Sequence, residues 1–162
     1  MKPASYRILF ALAAVLGWCI HQMDVKTAFL NGDLDVYVYM KPPLGMKIPK
    51  GKVLRLRKSL YGLKQASRTW WDKITRTLIE WGWRVSDFDP CVFINDTQGL
   101  ILCLWVDDIL IFGKDIDNIN AFKKQISERF VMTDEGPCEY YLGMHVEQKP
   151  GSIHVHQERY IT

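Results

Sequence analysis

An α+β fold, with one antiparallel sheet covered by helices on one face, is what this 162-residue sequence predicts. Three observations carry that expectation. Short apolar runs rich in Ile, Val and aromatics come in adjacent pairs, separated by Gly, Asn, Asp or Pro, as hairpin strands do. Three other segments carry helical composition or 3.6-residue periodicity, and they stand between those pairs rather than alternating singly with them. A hydrophobic content of 48% is enough to build a core, which excludes a disordered chain, and the length suits one domain. No repeat or low-complexity tract interrupts the pattern.

The first apolar run, residues 8–16, follows Lys2 and Arg7 and so imitates a signal peptide. It is shorter than the ~20 residues that cross a bilayer. Ser5 is a candidate N-cap, Ala and Leu favour helix, and Gly17 is a natural stop, which predicts a buried helix. Residues 19–25 alternate apolar and polar as a half-buried strand, with Asp24 near its end. A tight stretch, 26–30, leads to the turn Asn31-Gly32-Asp33. Residues 36–40 predict a strand stopped by Pro42-Pro43, and 53–56 another.

A helix is expected from Lys64 or Ser67 to Trp81. Trp70, Ile74, Thr77 or Leu78, and Trp81 form its apolar stripe, and Lys64, Arg68, Lys73 and Arg76 its other side. Such a Trp stripe serves as core or as a base-stacking platform. Gly82 ends the helix and Asp89-Pro90 turns the chain. Residues 91–94 and 100–106 predict paired strands across 95–99. Residues 116–130 predict an amphipathic helix with Ile119, Phe122, Ile126 and Phe130 on one face. Residues 139–146 and 152–156 predict a last hairpin across Pro150-Gly151, and Gln157 opens a further helix. His145, His154 and His156 lack the neighbouring Cys or carboxylate spacing of a metal site, so surface or packing roles are expected of them.

The informative centre is Asp107-Asp108, set between the apolar runs 100–106 and 109–112. Consecutive residues on a straight strand face opposite ways, so one carboxylate would be buried at a cost of several kcal/mol. A hairpin tip at Asp107-Asp108 avoids this, and Asp tolerates the φ > 0 values of tight hairpins. Two carboxylates at one tip suit a hard cation such as Mg²⁺, although an ordinary polar turn accounts for the same residues.

Charge is distributed unevenly. Residues 41–84 carry a net +10 and residues 85–162 a net −7, within an overall +3. A basic middle and an acidic end fit a polyanion-facing surface beside a carboxylate-bearing one, or simply an uneven solvated surface. Cys19, Cys91, Cys103 and Cys138 are scattered, which predicts free thiols in a reducing compartment and no zinc cluster of cysteines.

Four blocks carry a family resemblance: residues 22–32 (QMDVKTAFLNG), 59–66 (SLYGLKQA), Val106-Asp107-Asp108, and Tyr141-Leu142-Gly143. In that order and spacing they resemble the Ty1/copia-type retrotransposon reverse transcriptase over nearly the whole chain. The resemblance implies the palm of a right-hand polymerase and RNA-directed DNA polymerase activity. It implies two Mg²⁺ ions, with Mn²⁺ as a substitute, held by Asp24, Asp107, Asp108 and the Val25 carbonyl. Asp24 and Asp107 would bridge the metals and Asp108 would support them. Phe29 matches the aromatic that blocks a ribonucleotide 2′-hydroxyl, although a core Phe reads the same way. Gln65 resembles the residue beside the template and incoming nucleotide. Lys64, Arg68, Lys73 and Arg76 would meet phosphates.

The implied partners are an RNA/DNA primer-template, dNTPs and other parts of a Pol polyprotein such as integrase and RNase H, with no membrane. The implied place is the cytoplasm within virus-like particles, or the nucleus, without secretion. Trp105 stands where the family has Tyr, Ser67 where it has Pro, and Val36-Tyr37 where it has an acidic pair. The family's fingers would precede Met1, and its thumb and RNase H would follow Thr162. The expected domain is therefore a truncated palm, residues 1–162. Loss of triphosphate-binding groups would remove most of the rate. The alternative is a non-catalytic nucleic-acid-binding or interaction relic of the same fold. A metal-dependent nuclease or phosphatase would need a general base or water-positioning group that the sequence does not offer.

Overall fold

The computed structural model describes residues 1–158, so the helix expected from Gln157 lies, beyond Glu158, outside the described residues. Among the described residues the fold is a mixed α+β one, with three α-helices and antiparallel sheets. It divides into two compact units: Met1–Lys26 together with the chain from Leu78 onward, and Thr27–Thr77. Each is described in its own right.

The first unit is built on six strands: β1 (Cys19–Val25), β4 (Arg84–Val85), β5 (Val92–Asn95), β6 (Leu100–Trp105), β7 (Asp108–Gly113) and β8 (Met132–Pro137). Their order is β4-β5-β6-β7-β1-β8, and every pairing is antiparallel. Strand β1 matches its expected bounds. It buries Ile20 on one face and Met23 and Val25 on the other, and β7 and β8 flank it on both edges. Strand β8 was not expected, because its residues (MTDEGP) are poor strand formers. It is an edge strand, where a Gly at positive φ and a Pro are tolerated.

Helices α1 (Pro3–Leu16) and α3 (Ile116–Arg129) lie on opposite faces of this sheet, which corrects the expectation of helices on one face. Tyr6, Leu9, Phe10 and Ala13 of α1 join Ile20, Cys103, Leu110 and Phe112 in one core cluster. On the other face Ile119 of α3 reaches Gly113, and Lys123 of α3 bonds His21. In a strand, residues 110 and 112 point away from 111 and 113, so both faces of β7 are apolar and each needs its own cover. This is why residues 109–113 are all buried.

The N-cap of α1 is Lys2, not Ser5, and Pro3 opens the helix. The start of the helix is tied down from a distance: the buried Asp89 carboxylate accepts from the N-cap Lys2 N at 2.6 Å and from Ser5 Oγ at 2.6 Å, and from Cys91 N in its own turn at 3.0 Å. Burial alone would raise the Asp89 pKa, but these hydrogen bonds hold it below the ordinary carboxylate value. Gly17 closes α1 in the left-handed conformation, as expected. The helix is half-covered rather than buried, since Ile8 and Val15 are exposed. Among the described residues no helix is long and apolar enough to cross a membrane.

The residues expected as a strand over 139–146 are instead β9 (Tyr140–Tyr141), a turn at Leu142-Gly143, and the start of β10 (Met144–Lys149), which pairs with β11 (Ser152–His156). Both turn residues have positive φ, the pattern of a tight type I′ hairpin. Gln148 joins this small sheet to β1 by accepting from Ile20 N at 2.9 Å and donating to Ile20 O at 2.9 Å and Cys138 O at 3.0 Å. All four cysteines are free; Cys103 and Cys138 are buried, and burial pushes their thiols up to about 12.

The second unit contains a 3₁₀ turn at Ala28–Asn31, the two-residue strands β2 (Tyr39–Met40) and β3 (Leu54–Arg55), and most of helix α2 (Ala66–Glu80). The expected strands over 36–40 and 53–56 shrink to these pairs. Helix α2 appears within the expected limits. Trp70, Ile74, Thr77 and Leu78 are buried, so the stripe is core rather than a stacking platform, and only Trp81 is partly open.

Candidate active site

Register places the carboxylates. Asp24 on β1 is the direct partner of Asp108 on β7, and Asp108 is the direct partner of Trp105 on β6. Residues opposite one another in an antiparallel ladder share a face, with Cβ atoms about 5 Å apart. Trp105, Asp108 and Asp24 therefore form one row across three strands, which Thr133 of β8 extends. Like charges set opposite each other are unfavourable unless something offsets them. Gln22, two residues before Asp24 and so on the same face, donates Nε2 to Asp108 Oδ1 at 3.2 Å. Lys26 Nζ lies 3.5 Å from Asp24 Oδ2.

Asp107 sits at the turn, and its place corrects the expected tip. The two-residue loop is Val106-Asp107, with Asp108 already on the strand. The positive φ falls on Val106, at +56°, and not on an aspartate. A β-branched residue at φ > 0 is an outlier that costs about 1–3 kcal/mol and persists only where its surroundings enforce it. The enforcement is visible: the apolar strands on either side are fully paired, and Val25 N–H donates to the Asp107 carbonyl at 2.8 Å. That bond fixes the tip against the end of β1, next to Asp24.

Burial, and then the charges of Asp107, Asp24 and Glu135, push the Asp108 carboxyl above its ordinary value against the pull of Gln22. The site thus holds concentrated negative charge. Asp24 is turned to Lys26 and Asp108 to Gln22. The donor set, carboxylates with a neighbouring backbone carbonyl at Val25, is all oxygen and fits a hard divalent cation.

The other expected site residues belong to the second unit. Phe29 is buried, its ring 4.3 Å from the exposed Tyr61 ring. Gln65 precedes α2 and is partly exposed; its carbonyl accepts from Thr69 N at 2.9 Å. Lys64, Arg68 and Arg76 are exposed. Lys73 is held by Asp33 at 2.8 Å, and Lys58 bonds the same carboxylate. Two cations on one acid depress the Asp33 pKa to about 2. Gly32 lies where a Cβ would come 2.5 Å from Thr69 Oγ1 and 3.1 Å from Trp70 N, so the turn packs onto the start of α2 only without a side chain.

Sequence reasoning missed Gln22, which period-2 spacing from Asp24 could have flagged. It also missed the trio of His21, Lys123 and Asp134, in which the lysine is buried. Lys123 Nζ lies 2.8 Å from His21 Nδ1 and 2.5 Å from Asp134 Oδ1. Burial, followed by the Lys123 charge, lowers the His21 pKa, so the ring is neutral and accepts from Lys123.

Among known families, the reverse transcriptase (RNA-dependent DNA polymerase) family matches residues 1–162. The chain belongs to that family. It is 40% identical over 99% of its length to the Retrovirus-related Pol polyprotein from transposon TNT 1-94 of Nicotiana tabacum, and covers 13% of that protein. It is 37% identical over 99% of its length to the Pol polyprotein from transposon RE1 of Arabidopsis thaliana, covering 11%. It is 34% identical over 83% of its length to the transposon Ty1-DR1 Gag-Pol polyprotein of Saccharomyces cerevisiae, covering 8%. This reverse transcriptase domain thus spans about a tenth of the Ty1/copia-type Pol polyproteins it resembles. No solved structure matches the chain.

Proposed function

We propose that the chain is the palm of a right-hand polymerase, a palm segment of a longer Pol polyprotein, and that its reaction is RNA-directed DNA synthesis. The observation that carries this reading is the pairing of Asp24 with Asp108 beside the Asp107 turn, three carboxylates supplied by two neighbouring strands, β1 and β7, and the turn that leads into β7. Asp24 and Asp107 would be the principal metal ligands, with Asp108 as their support and the Val25 carbonyl as a further oxygen donor. Two Mg²⁺ ions bound there, or Mn²⁺ in their place, would supply activation of the primer 3′-hydroxyl and charge stabilisation of the departing pyrophosphate. Binding requires Asp24 and Asp108 to give up Lys26 and Gln22 as partners.

The remaining roles follow residue by residue. Trp105, 40% exposed and level with Asp108, offers a flat apolar surface to the primer end. Phe29 excludes a 2′-hydroxyl, and Gln65 meets the template or the incoming dNTP. Lys64, Arg68 and Arg76, with Lys73 behind them on Asp33, hold phosphates of an RNA/DNA primer-template.

A second reading, a nucleic-acid-binding relic without catalysis, is favoured by the Asp24–Lys26 pair, which occupies a metal ligand with a resident cation. Primer extension on poly(rA)/oligo(dT) with Mg²⁺ or Mn²⁺ separates the two. Extension by the wild type and none by Asp107→Asn supports the polymerase. Salt-sensitive binding of primer-template by a folded chain that extends nothing supports the relic. Equal extension by both proteins places the active site elsewhere.

A further inference from the structure

We propose that His145, Glu147 and His156 form a binding site for one transition-series divalent cation, Zn²⁺ by its donor chemistry, on the β10–β11 hairpin. Spacing along the chain does not reveal it, because the donors come together across the hairpin. His145 and Glu147 are two apart on β10 and share a face, and His156 on β11 is the direct cross-strand partner of His145. One ligand atom from each of the three lies within 4.8 Å of the others. Around a tetrahedral ion with bonds of about 2.0–2.1 Å the donors stand about 3.4 Å apart, so small side-chain rotations close the set.

Four details favour a cation over a chance cluster. The rings of His145 and His156 stack, centroids 5.0 Å apart and 25° from parallel, which holds the two imidazoles side by side. Among the described residues His145 Nδ1 is buried without a hydrogen-bond partner, an arrangement that costs about 1–3 kcal/mol unless something engages the nitrogen. Glu147 divides its oxygens: Oε2 is 3.2 Å from Lys149 Nζ, while Oε1 faces His156 Nε2 at 3.5 Å and stays available as a ligand. The other nitrogen of His156 lies 3.8 Å from the Glu158 carboxylate, where an outer-shell acid orients a ligating imidazole. The three donors line an open recess together with Tyr140 and Gly143, so a cation has an entry path and room for a water as fourth ligand.

Two imidazoles and one carboxylate select Zn²⁺, Co²⁺ or Ni²⁺ over Mg²⁺. The site is therefore chemically distinct from the all-oxygen set at Asp24, Asp107 and Asp108. A cation there ties β10 to β11 and stiffens the sheet that Gln148 anchors to β1.

The test titrates Zn²⁺ into the chelator-treated full chain and follows Co²⁺ binding by its visible absorption. The expected result is one ion per chain at micromolar affinity or tighter, unchanged by excess Mg²⁺ and by Asp107→Asn. Affinity should fall by about a hundredfold or more in His145→Ala, His156→Ala and the shape-preserving Glu147→Gln. Co²⁺ should give the four-coordinate visible bands without the thiolate charge-transfer band that Cys19 or Cys91 would produce. A wild-type chain that binds no Zn²⁺ in this range overturns the proposal, with no variant needed. So do a thiolate band, or Zn²⁺ binding that persists in the folded Glu147→Gln and His156→Ala chains.

Discussion

The two units divide labour between order and charge. The unit formed by residues 1–26 and 78 onward is a six-stranded sheet with a core on each face, and it carries a net −5. The unit Thr27–Thr77 has strands of only two residues, eleven Lys and Arg against three Asp and Glu, and a net +8. In the first, hydrogen-bonded register sets Asp24 opposite Asp108. In the second, exposed apolar residues such as Leu44, Tyr37 and Val53 stand among solvated cations. Catalytic metal ligands tolerate little misplacement, whereas phosphate contacts tolerate much. Acidic groups on a rigid sheet and basic groups on a loosely paired segment fit those two demands.

Substitution should expose the difference most strongly in activity. Asp24→Asn and Asp107→Asn should each lower primer extension by about a thousandfold or more, on the proposed assignment, while leaving primer-template binding nearly unchanged. Arg68→Gln or Arg76→Gln should do the reverse: weaker binding, with the salt slope smaller by about one unit, and a modest loss of rate. Steady-state extension and binding isotherms at several salt concentrations measure both. Equal effects of both sets on binding would erase the proposed division.

The sheet unit was also the more legible of the two. Strands β1 and β6 and helix α3 follow from apolar periodicity, and the 22–32 and 106–108 blocks mark the carboxylates in the linear pattern itself. What stayed hidden depends on partners remote in sequence. Asp89 caps α1 from 84 residues away, so Ser5 looked like the cap. Strand β8 is made of residues that only an edge position accepts, and the φ > 0 of the tip fell on Val106 because the flanking ladders, not local preference, set the turn. The His145–Glu147–His156 group exists only through cross-strand register. In the basic unit the extent of β2 and β3 was overread, since β-branched and aromatic residues over 36–40 are largely exposed rather than paired.

Stability should separate the units next. Leu110, fully buried between strands and α1, should cost about 3 kcal/mol or more as Leu110→Ala, through lost burial and the cavity left. Leu44→Ala, at a fully exposed side chain, should change stability by less than about 0.5 kcal/mol. Urea midpoints at fixed slope measure both, and a comparable loss at Leu44 would mean that the basic loop around Leu44 is covered rather than solvated.

Asp89→Asn should rank below the core change, at about 1–3 kcal/mol, because an amide presents a donor where three donors now converge on a carboxylate. Amide hydrogen exchange localises the effect. Protection should fall in the first turn of α1 before it falls in β7, and uniform loss across the sheet would assign Asp89 a global rather than a capping role.

The smallest effect belongs to the basic unit's own anchor. Asp33 is bonded by Lys58 and Lys73, and its pKa is depressed to about 2. A carboxyl depressed in the folded state stabilises above its unfolded value, and that contribution disappears as the proton binds. The window is therefore from about pH 4 down to about pH 2, with stability falling as pH falls. The carboxylate is more than half exposed, so solvent and salt screen the pair and the contribution stays below about 1 kcal/mol. Other depressed carboxylates, Asp89 and Asp134 among them, titrate in the same direction and would mask it in the wild type alone. The difference between wild type and Asp33→Asn isolates it: the gap in urea midpoint should be present at pH 6, shrink through the window, and shrink also at high salt. A gap that stays constant across pH would mean that the substituted amide disturbs packing at Gly32 and Thr69 rather than removing a charge, and that charge does not anchor the turn.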